Sequence, residues 1–181
     1  TDNISDWIAD HCADSSDNLV IKAGHRSESL LHTPTDWELI RQLHCPLLIS
    51  PNKKWKSSDS ILIALDLSSD DCEHRELNIQ ALQWARQWQA NANYHLHAVY
   101  TIPIASPLLA LDIVEPGNVQ RAHEPEAIEK LQALLNEVGV TNVTPHVLAG
   151  CASKAIPHMA NELKADLVIM GSVGRRGIKG L

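Results

Sequence analysis

Between residues 60 and 170 short apolar runs alternate with amphipathic stretches of helical period, and this alternation limits the chain to very few folds. The spacing predicts strand 60–66, helix 70–90, strand 94–100, a long proline-containing loop, helix 124–138, strand 143–148, helix 153–164 and strand 166–170. Runs such as Ile61-Leu-Ile-Ala-Leu65 do not alternate polar with apolar, so both faces of the strand must be covered. Strands of that kind separated by helices give the α/β class: an open, Rossmann-like parallel sheet with helices on both sides. Right-handed crossovers then order the four strands third, second, first, fourth, with 61–65 beside 166–170.

The helices carry their own stop and start signals. Ser68 followed by Asp71 reads as a capping box, and Leu77, Ala81, Trp84 and Trp88 form the expected buried stripe. Ile128, Leu131, Leu135 and Val138 form a second stripe, closed by Gly139. Thr33-Pro34-Thr35-Asp36 opens a further short helix that ends before Cys45-Pro46.

One segment occurs twice. Asn18-Leu-Val-Ile21 matches Asp166-Leu-Val-Ile169, each after a helical stretch (7–13 and 155–161) and each before a small residue, Ala23 or Gly171. A tandem duplication accounts for this. Residues 1–50 then form the C-terminal part of a first domain, 51–58 a polar, basic linker, and 59–181 a second domain lacking its last helix and strand. Both copies are expected to be incomplete and to pack on one another as a pseudo-dimer, with a homodimer as the alternative.

Composition removes several functions. A net charge of −7 disfavours nucleic acid and anionic membranes as partners. The four cysteines form no CxxC pair, no apolar run approaches the roughly 18 residues of a membrane helix, and the start lacks a signal-peptide pattern, so the cytoplasm is the expected location.

In open parallel sheets ligands meet the residues just beyond the strand ends. Here these are Asp66-Leu-Ser68-Ser69, Tyr100-Thr101 and Met170-Gly171-Ser172-Val-Gly174-Arg175-Arg176-Gly177-Ile-Lys179-Gly180. Glycines admit close backbone approach to an anion, and Arg175, Arg176 and Lys179 concentrate positive charge in an acidic chain. With Ser68 read as the helix cap, Asp66 is left to accept from a ribose hydroxyl or an adenine amino group. The segment 101–115 is unusually apolar for a connection; packing on its own domain or on the missing half is the expected reason, with a lipid-like or apolar ligand as the alternative. His95 and His97 share a strand face at a spacing a metal uses, but no third ligand stands nearby and they are read as ordinary histidines. Cys151, after Gly150, lacks a His–Asp partner and is read as a small buried residue.

Asp66, Val99 and Asp166-Leu-Val-Ile-Met-Gly-Ser-Val-Gly174 together resemble a universal stress protein domain. His44-Cys45-Pro46-Leu-Leu-Ile49 resembles the end of such a domain, and His32-Thr-Pro-Thr-Asp-Trp37 resembles the E-type tandem members. The resemblance implies that Asp66 contacts a nucleoside, that Val99 packs on adenine, and that Met170, Gly171 and Gly174, with Ser172 and Arg175 beside them, line ribose and phosphates of ATP or AMP. The fingerprint's second half would fall beyond Leu181. The first copy, with Lys22-Ala23-Gly24-His25-Arg26 at the corresponding place, departs from it and is expected to bind no nucleotide in that way. The implied function is non-catalytic binding of a nucleotide or other small ligand in a stress response. The alternatives are a carrier or sensor of an apolar ligand and a nucleotide hydrolase of the related superfamily.

Overall fold

The computed structural model describes residues 4–13, 19–24, 35–51, 59–69, 71–91 and 93–172. The chain divides into two compact units, one of residues 1–55 with 172–181 and one of residues 56–171.

In the first unit α1 (Ile4–Cys12) and α2 (Thr35–Gln42) accompany two strands, β1 (Val20–Gly24) and β2 (Leu47–Pro51), which pair in parallel with Ile21 beside Leu48. The helices are tied by Ser5 Oγ donating to Glu38 at 2.8 Å and Gln42 donating to Asp6 at 3.0 Å, and Leu39 is fully buried. Lys22 of β1 pairs with Asp36 of α2. Residues 33 and 34 of the expected helix start, and residues 52–58 of the expected linker, lie outside the described residues.

The second unit holds β3 (Ser60–Leu65), α3 (Cys72–Asn91), β4 (His95–Pro103), α4 (Ser106–Ala110), α5 (Pro116–Val138), β5 (Val143–Gly150), α6 (Ala152–Glu162) and β6 (Leu167–Met170). All four strands are parallel, in the order β5-β4-β3-β6, which is the order that the crossover rule predicts. Every residue of β3 is buried, because it has a strand on each side and helices over each face. On one face Ile61, Ile63 and Leu65 pack with Leu82 and Ala85 of α3 and Leu131 and Leu135 of α5. On the other, Leu62 and Ala64 pack with Val99 and with Met159 of α6. Pro145 lies on β5, an edge strand, where a missing N–H is tolerated.

Several local expectations are corrected. The helix before β5 starts at Pro116, not 124, and runs through Pro125. Its buried residues begin only at Ala127, so the first turns carry no apolar stripe to read. The segment expected as one loop holds the end of β4 and α4, and Leu108, Leu111 and Ile113 are exposed, Leu111 by 69%, so of the two packing surfaces expected for them their own domain is not the one used. The buried stripe of α3 is centred on Asn78, Ala81, Leu82 and Ala85, with Trp84 and Trp88 at its flanks; small residues at the centre let the helix lie close to the sheet. The cap of α3 is Asp71, whose Oδ1 accepts from the His74 N–H at 2.9 Å, and not Ser68. The cap of α5 is as expected: Gly139 at φ 70° turns the chain and its N–H returns to Asn136 and Leu135.

Leu131→Ala should cost about 2–5 kcal/mol in denaturant unfolding, since Leu131 is fully buried between α5 and the sheet. The cap sets an acid limit of its own. Hydrogen bonds from the His74 N–H and from Ser69 lower the Asp71 carboxyl from 3.8 to about 2, so its contribution is complete above 3.8 and disappears as the pH falls through 2. In Asp71→Asn the cap persists without a titrating group, and stability measured across that window should lose this part of its pH dependence.

Candidate functional site

The site is built at the carboxyl ends of β3, β4 and β6. The chain steps from β3 outward to β4 and β5, then returns to the opposite side of β3 for β6, so the strand order reverses at β3, the place where open parallel sheets take their ligands. Asp66 is the first residue past the fully buried β3. Its carboxylate is 51% exposed.

The backbone of Asp66 is fixed by a residue not singled out from the sequence. Asn78, buried on α3, donates from Nδ2 to the Asp66 carbonyl at 2.7 Å and accepts from the Asp66 N–H at 3.0 Å. A polar residue on the buried stripe of a helix, 12 positions after Asp66, was the available signal. The carboxylate is not left free by the helix cap, as the sequence suggested: Oδ1 accepts from the Ser68 N–H at 2.9 Å and from Ser68 Oγ at 2.5 Å. Oδ2 stands 4.0 Å from His74 Nε2, while His74 Nδ1 lies 2.6 Å from Asp71. His74 is thus a second residue of the site that sequence reading passed over.

Thr101 lies next to Asp66, since β3 and β4 are in register with Leu65 beside Tyr100. Its hydroxyl oxygen is buried with no hydrogen-bond partner. Val99, two residues earlier on the same face, is 1% exposed and packed with Leu62, Ala64 and Met159. At the strand end it is Thr101 that stands beside Asp66.

At the end of β6 Met170 is 55% exposed and pairs with Ala64. Gly171 follows, and a Cβ there would come within 2.8 Å of the Leu77 Cβ, so close approach of α3 alone requires glycine. Ser172 is exposed and is the last described residue; Gly174 and Arg175, with Arg176 and Lys179, lie outside the described residues.

On the opposite face of β4 a cavity of about 130 Å³ is lined by Leu67, Tyr100, Ile102, His123, Glu126 and Lys130. Burial and the nearby Asp66 carboxylate raise the Tyr100 pKa, with Lys130 opposing them. The phenol therefore stays a neutral hydrogen-bond donor.

Two outlying readings also meet the structure. His97 is joined not to His95 but to His146 on β5, with Nδ1 3.1 Å from Nε2. Burial lowers both pKa values, and His146 and His95 lower that of His97 further. Cys151 is not buried; it stands just before α6, and its Sγ lies 3.1 Å from Ser153 Oγ, a contact that lowers the thiol pKa.

This architecture has known counterparts. Residues 58–181 match the model of a family described as the universal stress protein family. The chain is 29% identical over 167 residues to Universal stress protein E of Escherichia coli K12, covering 89% of this chain and 53% of that one. It is 29% identical over 182 residues to the Universal stress protein E homolog of Haemophilus influenzae, covering 97% and 59%. The chain spans about half the length of the curated relatives it matches. A crystal structure described as a universal stress protein of Pseudomonas aeruginosa UCBPP-PA14 superposes with a TM-score of 0.70 at 26% identity, covering 99% of this chain and 61% of that one. With its parallel sheet, its change of strand order at β3 and a family match over more than half its length, the chain belongs to the universal stress protein family.

Proposed function

We propose that this chain binds an adenine nucleotide, AMP or ATP, in the crevice beyond β3 and β6 and does not turn it over. The observation that carries the reading is Asp66, an exposed carboxylate whose backbone is clamped by a buried asparagine where the strand order reverses, beside the orphaned hydroxyl of Thr101. A carboxylate fixed in this way accepts ribose or amino hydrogens without paying to order itself on binding. Met170 presents apolar surface to a base or sugar, and Gly171, Ser172, Gly174 and Arg175 are assigned to ribose and phosphate on the sequence resemblance.

In this reading residues 1–50 are the tail of a preceding universal stress domain and 51–58 is the linker. The work of the protein is ligand-dependent signalling in a stress response in the cytoplasm. Binding without a positioned nucleophile stabilises ground and transition states alike and so accelerates little. An apolar ligand is the second reading, favoured by the exposed Leu108, Leu111 and Ile113 around α4.

Calorimetry with AMP and ATP tests the site. Asp66→Ala should weaken binding at least tenfold with little change in unfolding midpoint, and Gly174→Val should abolish it without unfolding the chain. Unchanged affinity in both would move the site elsewhere, and an acyl chain released on denaturation and identified by mass spectrometry would favour the apolar reading. With ATP and Mg²⁺ only trace turnover is expected; sustained hydrolysis lost in Asp66→Ala would show an enzyme.

A further inference from the structure

We propose that His97 and His146 form a two-imidazole chelate for a nitrogen-preferring divalent transition-metal ion of the Cu²⁺, Ni²⁺ and Zn²⁺ group. The site is separate from the nucleotide crevice and rests on different residues.

The two rings come from adjacent parallel strands, 49 residues apart in sequence. Their backbones are held by the β4–β5 ladder, in which His97 pairs with Thr144 and Val99 with His146, so the rings approach along a diagonal of one sheet face. Ring centroids are 5.3 Å apart with planes inclined by 34°, and the facing nitrogens, Nδ1 of His97 and Nε2 of His146, are 3.1 Å apart.

That separation is the span of a chelate. Imidazole nitrogens bind such ions at about 2.0–2.1 Å, and two nitrogens 3.1 Å apart then subtend roughly 95–100° at the metal. The angle lies between the 90° of adjacent tetragonal positions and the tetrahedral value, which suits Cu²⁺ and Ni²⁺ first and Zn²⁺ after a small opening of the pair. Hard oxygen-seeking ions gain nothing from two imidazoles.

One facing nitrogen carries a hydrogen in the present hydrogen bond. For both to donate lone pairs, that ring takes its other tautomer, with the proton moving to the nitrogen that points away, and the rings tilt so that the lone pairs now facing each other converge on the ion; neutral rings then bind it without net proton release. Both residues are partly exposed, which leaves a path for the ion from solvent. Among the described residues no group of three His, Cys, Asp or Glu side chains is placed to hold a metal, so water fills the remaining positions. The expected site is therefore open and exchangeable, unlike a closed structural zinc centre.

The test is a titration of the untagged full chain with Cu²⁺, followed by electron paramagnetic resonance and thermal unfolding. One exchangeable bound ion coupled to two nitrogens is expected, with a rise in unfolding midpoint that grows with Cu²⁺ concentration. His97→Gln and His146→Gln should each remove both effects, while His158→Gln, in an exposed i,i+4 pair with Glu162, should keep them. Binding that survives His97→Gln and His146→Gln overturns the proposal, as does absence of a bound ion in the parent chain. Should either variant fail to fold, paramagnetic broadening of histidine ring signals in the parent chain decides the matter. Broadening centred on His97 and His146 supports the chelate, and broadening spread evenly over the 10 histidines overturns it.

Discussion

The complete burial of β3 is the constraint on which the rest of this unit depends. Six consecutive residues, Ser60 to Leu65, are out of water on both faces, which is sustained only with strands on both flanks and helices above and below. The five apolar residues from Ile61 to Leu65 each gain on the order of 1–3 kcal/mol from burial, and a one-residue slip would exchange their two sets of packing partners. Register, strand order and the positions of α3, α5 and α6 are thus mutually dependent. The first polar side chain after this strand emerges at the sheet's edge, and it is Asp66.

Emergence alone would leave a strand end free to fray. Asn78 prevents this by satisfying both the N–H and the carbonyl of Asp66 from within the buried stripe of α3. The amide is nearly out of water, and its loss would leave two backbone groups to find other partners at about 1–3 kcal/mol. Asn78 is therefore better understood as a positioning residue than as core filling. It spends a buried polar group on holding an exposed carboxylate in place, and such an arrangement serves recognition more directly than stability.

What the sequence made legible follows from the range of the forces involved. The alternation of β and α, the parallel order and the C-cap at Gly139 rest on local periodicity and on chirality, and they were readable. The start of α5 was not, because its first turns bury nothing and Pro125 reads as a boundary. Ser68 and Asp71 read as one capping box with Ser68 as the cap, and only the path of the chain shows that Asp71 holds that place. Asp66 was found because strand ends are visible in sequence. Thr101 stood among the strand-end residues for the same reason, whereas Asn78 and His74 matter through their side-chain contacts, and the pairing of His97 with His146 depends on the β4–β5 register, which no local pattern encodes.

Gly171 shows how the same residue supports two arguments of unequal weight. From the sequence, a glycine after a buried strand and three before another reads as an anion cradle. In the fold Gly171 has a sufficient cause that involves no ligand, since α3 brings the Leu77 Cβ to where a Cβ of residue 171 would stand. That glycine would be required in a domain that binds nothing. The argument for a ligand therefore rests on residues whose placement packing does not explain. An exposed carboxylate held rigid costs conformational entropy and gains no burial, and a buried hydroxyl without a partner costs desolvation. Asp66 and Thr101 are adjacent across β3 and β4, so one ligand approaching the strand ends can offset both costs.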